Sequence, residues 1–314
     1  MEVRTKLRNE LRKHFEGDIS GLEPVESGFT HETFFFSNAD NELVVQALTG
    51  GKDKEYAIKR KAKVYEMAEK YSVDIPKLIL GPEDISFNGD ESLYFVVRRA
   101  PGSEMKESFQ ESVLDEIGVE LAKIHGMESF EHPGWVKPVD GGFEPFVFDD
   151  GSYEDWIISN LEDDIEVLRK NGMKDAADRA ELFVRENKDN VPTDFEPVLC
   201  HNDYSPDNII TKNGEITGVI DFDYVFSSDP RRELVKAANS FQIEDIDIRE
   251  KLYKNYMTES SLENFQEVEP FYRVETMVRI VASLFHLDVD PSQEEKEKYS
   301  KMINKAIEKP KKRM

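Results

Sequence analysis

The sequence predicts an α+β protein in which a small β-rich N-terminal region precedes a larger, mainly helical one. Three observations carry this. Between residues 20 and 99, runs rich in Phe, Val and Leu recur between turn signals, as strands do. Ala100-Pro101-Gly102 then punctuates the chain as a linker. Beyond it, helical patterning dominates. The expected division is residues 1–100 and residues 101–314.

Each element follows from local chemistry. Val3, Leu7, Leu11 and Phe15, four apart, predict an amphipathic helix over 3–16 that Gly17 breaks. LEPVESG, THETFFFSN and NELVVQALT read as strands, with turns at Gly28, Asn38–Asn41 and Gly50–Gly51. Residues 54–71 have helical composition and end before Asp74-Ile75-Pro76. KLILG and SLYFVVRRA are two more strands, separated by the polar turn EDISFNGDE. Helices are then expected over 108–126, 152–170, 174–188, 230–242, 246–268 and 270–288. LCHND, NIITKNG and ITGVIDFD interrupt them as short strands and loops, and the final KPKKRM reads as a frayed basic tail.

Composition narrows the function. The 314 residues carry 41 basic and 65 acidic side chains, a net charge of −24, which argues against nucleic-acid binding because phosphate contacts need clustered Lys and Arg. An acidic surface attracts cations, cationic substrates included. A single cysteine, Cys200, leaves no internal disulfide and fits a reducing compartment. The N-terminal residues have no apolar signal-peptide core, and no apolar run approaches membrane-spanning length, so a cytoplasmic protein without membrane partners is expected. It is expected as a monomer or homodimer.

The informative stretch is VLCHNDYSPDNIITKNGEITGVIDFDYVFSSDP, residues 198–230. It places His201-x-Asp203, then Asn208 five residues on, then Asp221 at the end of an apolar strand. Phosphoryl transfer needs positioning and charge neutralisation more than covalent help. Asp203 can orient an attacking hydroxyl and accept its proton. Asn208 and Asp221 offer hard oxygen ligands for magnesium on nucleotide phosphates. Ile209-Ile210, the Lys212-Asn213-Gly214 turn and ITGVID read as a hairpin that returns Asp221 beside Asn208. Alone, a His-x-Asp is more simply a turn capped by its aspartate; in register with the hairpin, Asn208 and Asp221 it reads as chemistry. Asp207 and Asp223 are open between loop solvation and, for Asp223, a second metal contact. His125 reads as a buried hydrogen-bonded residue.

The stretch resembles the aminoglycoside phosphotransferase family, relatives of the protein kinases, which carry H-x-D-x-x-x-x-N followed by I-D-[FW]. Asp229-Pro230 with Glu233 resembles the family's D-P-x-x-D element with Glu for the last Asp, and Gly118-x-x-Leu121-Ala122-x-Ile124-His125 resembles its helix in the large lobe. The resemblance covers most of the chain, from about Gly28 to Leu234. It implies a bilobal protein-kinase-like fold, with a small β-rich N-terminal nucleotide-binding lobe and a larger, mainly helical C-terminal catalytic lobe. It implies ATP and Mg2+ as cofactors and a small-molecule hydroxyl acceptor, such as an aminoglycoside, amino sugar or similar amine-bearing alcohol. By residue, it makes Asp203 the catalytic aspartate, His201 its brace, and Asn208 and Asp221 metal ligands. Gly28 and Thr30 fall on the hairpin that covers the phosphates. Val97 and Arg99 fall on the connector whose backbone meets the adenine edge.

Departures from the pattern leave readings open. The strand position that normally presents Lys or Arg to the phosphates is Gln46, and the helix position expected to be acidic is the basic Lys59-Arg60-Lys61. Either Lys61 reaches the phosphate charge instead, or these residues form a solvated helix face. Trp135 and Trp156, with Asp149, Asp150, Glu154 and Asp155, can hold an amine-bearing acceptor or can be an ordinary helix start over a buried Trp. Two rival functions also stand: a nucleotide-binding regulatory pseudokinase, suggested by Gln46, and a D-x-D magnesium phosphatase using Asp221 and Asp223. The second normally needs alternating strands and helices after the motif.

Overall fold

A computed structural model describes residues 2–25, 32–48, 55–87, 90–146, 151–287 and 289–308. It begins with helix α1 (Glu2–His14), strands β1 (Ile19–Pro24), β2 (Glu32–Asn38) and β3 (Asn41–Ala47), helix α2 (Glu55–Ala68), and strands β4 (Leu78–Phe87), β5 (Asp90–Arg98) and β6 (Ser103–Glu104). Next come α3 (Ile117–His125), β7 (Gly134–Val139), β8 (Gly142–Phe146), α4 (Tyr153–Lys170) and α5 (Lys174–Asn187). The chain continues through β9 (Val198–Cys200), β10 (Ile209–Lys212), β11 (Glu215–Val219) and β12 (Phe226–Ser228). It finishes with α6 (Pro230–Ile243), α7 (Arg249–Glu259), α8 (Phe265–His286) and α9 (Gln293–Ile307). A β-rich N-terminal sheet followed by a helical C-terminal part is the expected fold class.

Contacts divide the chain into two compact units, residues 1–113, 136–144 and 207–225 in one and residues 114–135, 145–206 and 226–314 in the other. This differs from a single cut at residue 100, because the β10–β11 hairpin is counted with the N-terminal sheet.

In the first unit an antiparallel sheet runs in the order β1-β2-β3-β5-β4. Period-2 alternation sends Phe34, Phe36, Leu43, Val45 and Val96 to one face, where they bury against Leu7 and Leu11 of α1. The opposite face takes α2, with Tyr65 packing on Phe95 at 5.7 Å between ring centroids. Residues 83–87, the first part of the polar segment expected as a turn, are instead the second half of β4, paired Glu83↔Tyr94 through Phe87↔Asp90. Its Ile85 and Phe87 alternate into the core, a period masked by Glu83 and Asp84 just before them.

The β10–β11 hairpin forms as expected, Ile209↔Val219 to Lys212↔Glu215, and β6 pairs along its other edge. Its two-residue turn, Asn213-Gly214, takes φ of 57° and 82°, a left-handed pair suited to Asn-Gly.

In the second unit α4, α5, α8 and α9 share one core through Leu161, Ala177, Val278 and Ile303. The helix α9 lies where none was expected. Its apolar residues Tyr299, Ile303 and Ala306 are sparse, yet they form one stripe. Ser292 and Glu295 close a capping box at its start. The expected break at Pro270 falls inside α8 instead, and the chain turns between Glu259 and Phe265. α3 and α7 approach so closely at Gly118 that a Cβ there would lie 2.5 Å from the Leu252 carbonyl oxygen. β12 lies between β9 and the first residues of β7.

Candidate active site

Two clusters contain the chemistry-bearing residues, one in each unit. In the first unit, Ile220 donates its N–H to the Asn208 carbonyl at 2.9 Å, which sets the two ends of the hairpin side by side. Asp221 follows directly, held at φ 66° and ψ 58°. A left-handed non-glycine residue costs of order 1–3 kcal/mol and persists where its surroundings over-determine it. Asn208 is buried, as is Asp223.

Lys61 of α2 completes this cluster. Its side chain is 1% exposed, and Nζ lies 3.0 Å from Asp221 Oδ1 and 2.7 Å from Asp223 Oδ1. Arg60 beside it donates to the Asp223 carbonyl. The basic helix run is therefore not a solvated face at Lys61, and Asp223 is not a loop-solvating residue. One ammonium serves two carboxylates. Although the Asp221 side chain is 42% exposed, the protein packed around its carboxyl pushes it above the usual range; Lys61 opposes that and Asp223 adds to it. Tyr65 anchors the far side, edge-on to Phe222 at 5.8 Å.

The remaining first-unit candidates separate. Gln46 faces Phe95 across the β3–β5 pair, which puts it on the α2 side of the sheet. Its Oε1 is buried with no hydrogen-bond partner among the described residues. Val97 is buried within the sheet, paired to Val44 and Leu78. Arg99 lays its guanidinium 4.0 Å over the Phe35 ring, and its amide donates to the Glu42 carbonyl at 3.0 Å. Gly28 and Thr30 lie outside the described residues. Asp207 pairs with Lys106.

The second cluster, in the other unit, surrounds Asp203. His201 is fully buried, and its Nδ1 accepts the Asp203 N–H at 3.2 Å. Glu233 on α6 accepts the N–H of His201 at 2.9 Å and that of Asn202. His125 bridges Tyr256 Oη at 2.8 Å and Glu233 Oε2 at 2.7 Å, a buried hydrogen-bonded residue as expected. Burial would raise the Glu233 carboxyl, but the hydrogen bond with His125, together with His201 and the Asn202 N–H, outweighs it, and the group sits below the usual range. Asp229 caps α6 by accepting the Arg231 N–H at 2.8 Å, with Pro230 in the first turn. Cys200 is buried and its thiol is pushed up by that burial and by Glu233, so it is no nucleophile.

Sequence reasoning missed Lys236. It donates to the Asn202 carbonyl oxygen and, at 3.3 Å, to Asn202 Oδ1. The available signal was its place three residues after Glu233, on the same helix face. The residues open between holding an acceptor and an ordinary helix start make contacts within the protein. Trp156 stacks on Phe226 at 5.1 Å, and the guanidiniums of Arg232 and Arg279 each lie 5.7 Å from its ring. Trp135 meets Phe226 edge-on, and Asp155 closes the capping box of α4. Glu154 lies in the first turn of that helix. Asp149 and Asp150 lie outside the described residues. The helices that follow Asp223 are not the alternating strands and helices a D-x-D phosphatase needs.

The family described as APH, phosphotransferase enzyme family, matches residues 21–271. The chain belongs to this family. Sequence comparison with curated proteins finds no match. Among solved structures, the aminoglycoside phosphotransferase APH(4)-Ia is 15% identical over 96% of this chain and 98% of its own, with a TM-score of 0.68. A thermostable mutant of that enzyme, in ternary complex with AMP-PNP and hygromycin B, is 16% identical over the same shares, also at 0.68. A Haemophilus somnus 129PT protein taken to be a fructosamine-3-kinase is 14% identical over 97% of each chain, at 0.61. At these identities the likeness establishes the fold, which is the protein-kinase-like fold of the phosphotransferase family.

Proposed function

We propose that the protein is an ATP- and magnesium-dependent phosphotransferase that moves the γ-phosphate to a hydroxyl of a small molecule, of the class of aminoglycosides, amino sugars and similar amine-bearing alcohols. The observation that carries this is the Lys61–Asp221–Asp223 cluster beside Asn208. Both carboxylates already reach one common cation, and they are hard oxygen donors, so the donor set fits magnesium. Asp221 and Asp223 would hold it with the Asn208 amide oxygen, and magnesium bound there would supply positive charge to the phosphate oxygens. Lys61 adds an ammonium where the family's strand cation is replaced by Gln46, which favours an active enzyme over the pseudokinase reading.

Asp203 takes the other role. Fixed through His201 and Glu233, its carboxylate orients the acceptor hydroxyl and receives its proton as the oxygen bonds to the γ-phosphorus and ADP leaves. The support for nucleotide and acceptor class comes from relatives of the same fold bound to AMP-PNP, ADP, hygromycin B or gentamicin. Among the described residues no helix is long and apolar enough to cross a membrane, and we place the reaction in the cytoplasm.

The test is an ADP-release assay over a panel of amino sugars, aminoglycosides and amino alcohols. Asp203→Asn should lose about a hundredfold or more in turnover while keeping the rise in melting temperature that ATP with magnesium produces. Asp221→Asn should lose the magnesium-dependent part of that rise. A wild type that transfers no more phosphate than Asp203→Asn across the panel would overturn the assignment.

A further inference from the structure

Helix α6 holds the segment before Asp203 from two positions one turn apart. Glu233 takes the amide hydrogens of His201 and Asn202, while Lys236 takes the carbonyl and side-chain oxygens of Asn202. Between these grips Asn202 is left-handed, with φ of 62°. A non-glycine residue stays in that region only where neighbours fix it. The turn it makes sends the Asp203 amide back onto His201 Nδ1. The two grips are not equivalent. The Glu233 carboxylate accepts from backbone N–H groups that always carry their hydrogen, whereas the Lys236 ammonium is itself titratable. A neutral amine donates a weaker hydrogen bond than an ammonium.

We propose that Lys236 is a positioning residue of the phosphotransfer: its ammonium holds Asn202 left-handed so that Asp203 is presented, and the hold loosens when the ammonium gives up its proton. This rests on the reading of Asp203 as the carboxylate that orients the acceptor. The surroundings of Lys236 put its release within reach of ordinary conditions. Burial lowers it to about 8, opposed by Asp203 from the loop, with Arg232 on its own helix and Arg279 on α8 lowering it further and Glu233 raising it. The grip is therefore complete below that value and lost as the pH rises through it.

The experiment compares wild type, Lys236→Met and Lys236→Arg from pH 6.5 to about 9.5, by residue-resolved amide exchange corrected for intrinsic rate and by ADP release from Mg·ATP. The wild type should lose about tenfold in protection at Asn202 and Asp203 across pH 8, the worth of one charge-assisted hydrogen bond. Lys236→Met should start at the low value and stay there. Lys236→Arg, whose guanidinium keeps its proton throughout, should remain protected. ADP release should follow: kcat about tenfold lower in Lys236→Met with KM for Mg·ATP little changed, and no alkaline fall in Lys236→Arg. Protection in Lys236→Met equal to wild type, or the same alkaline loss in Lys236→Arg, overturns the proposal. The expected exchange pattern in a wild type that binds Mg·ATP but never releases ADP overturns instead the role of Asp203, and with it the catalytic half of this inference.

Discussion

The two clusters hold charge in opposite ways. Around Lys61 one ammonium faces two carboxylates, and Asp221 sits in a left-handed conformation with its side chain 42% exposed. Around Asn202 the charges are closed: Glu233 is met by two backbone N–H groups and His125, and Lys236 is spent on Asn202. The first arrangement, with the Arg60 guanidinium also near Asp223, keeps an open side at Asp221. The second is satisfied and closed. A cluster built to take up a cation and its phosphates should keep a carboxylate open to solvent, as Asp221 is, whereas a cluster built to aim one carboxylate should be rigid. Charge closure thus separates binding from positioning.

Breaking the closed cluster should cost most. Glu233→Ala removes a buried carboxylate and leaves three hydrogen-bonding groups without their acceptor, so unfolding stability should fall by about 3–5 kcal/mol, measured by urea or thermal melts. Glu233→Gln, which keeps an acceptor oxygen, should lose less. The pH dependence has a definite sign. Because the folded-state carboxyl lies below its ordinary value, its contribution is full above about pH 4.5 and is lost as the pH falls through the folded value. The wild-type and Glu233→Gln stability curves should therefore differ at neutral pH and converge in acid. Curves that stay parallel would show that Glu233 is not held as an anion.

Breaking the open cluster should cost less and be repairable. Lys61→Met removes the ammonium shared by Asp221 and Asp223 and leaves only the Arg60 guanidinium near Asp223, while the exposure of Asp221 lets solvent screen part of the repulsion. We expect a loss of about 2 kcal/mol, below the scale of a fully buried pair. Millimolar magnesium without nucleotide should then raise the melting temperature of Lys61→Met more than that of wild type, since the ion takes the place of the ammonium. Equal shifts in both proteins would mean that these carboxylates are not a cation site.

The sequence made part of each cluster readable. His201, Asp203, Asn208 and Asp221 are spaced by a loop and a hairpin, local structures that a strand–Asn-Gly–strand pattern specifies, and the expected hairpin forms, with a register shift between Ile210 and Thr211. Lys61 could only be offered as one of two readings. Its meaning depends on α2 turning that one residue toward the hairpin, a tertiary fact that the pattern KRKAK does not contain. Lys236 left still less trace. A helix Lys three residues after a Glu is ordinarily a solvated pair, and only the left-handed Asn202 gives it a partner. The fold errors have the same origin: β4 alternates behind acidic residues, and α9 buries few apolar side chains.

The smallest expected effect tests whether Lys61 stands in for the missing strand cation. Gln46 lies on the α2 side of the sheet with Oε1 buried and unmatched among the described residues. If the phosphates need one ammonium from this region and Lys61 already supplies it, Gln46→Lys by itself should change the apparent affinity for Mg·ATP by less than about threefold. In the Lys61→Met background the same substitution should have a partner to replace, and it should recover about tenfold, an interaction of about 1.4 kcal/mol, within the range for neighbouring residues. The cycle is read by thermal shift or isotope-labelled nucleotide binding in the four proteins. Additive effects would show that the two positions serve different groups, and a large gain from Gln46→Lys in the wild type would show that Lys61 leaves the phosphates without their cation. A small single effect with a larger one in the Lys61→Met background would mean that the ammonium has moved from strand to helix, with its charge still directed to the same phosphates.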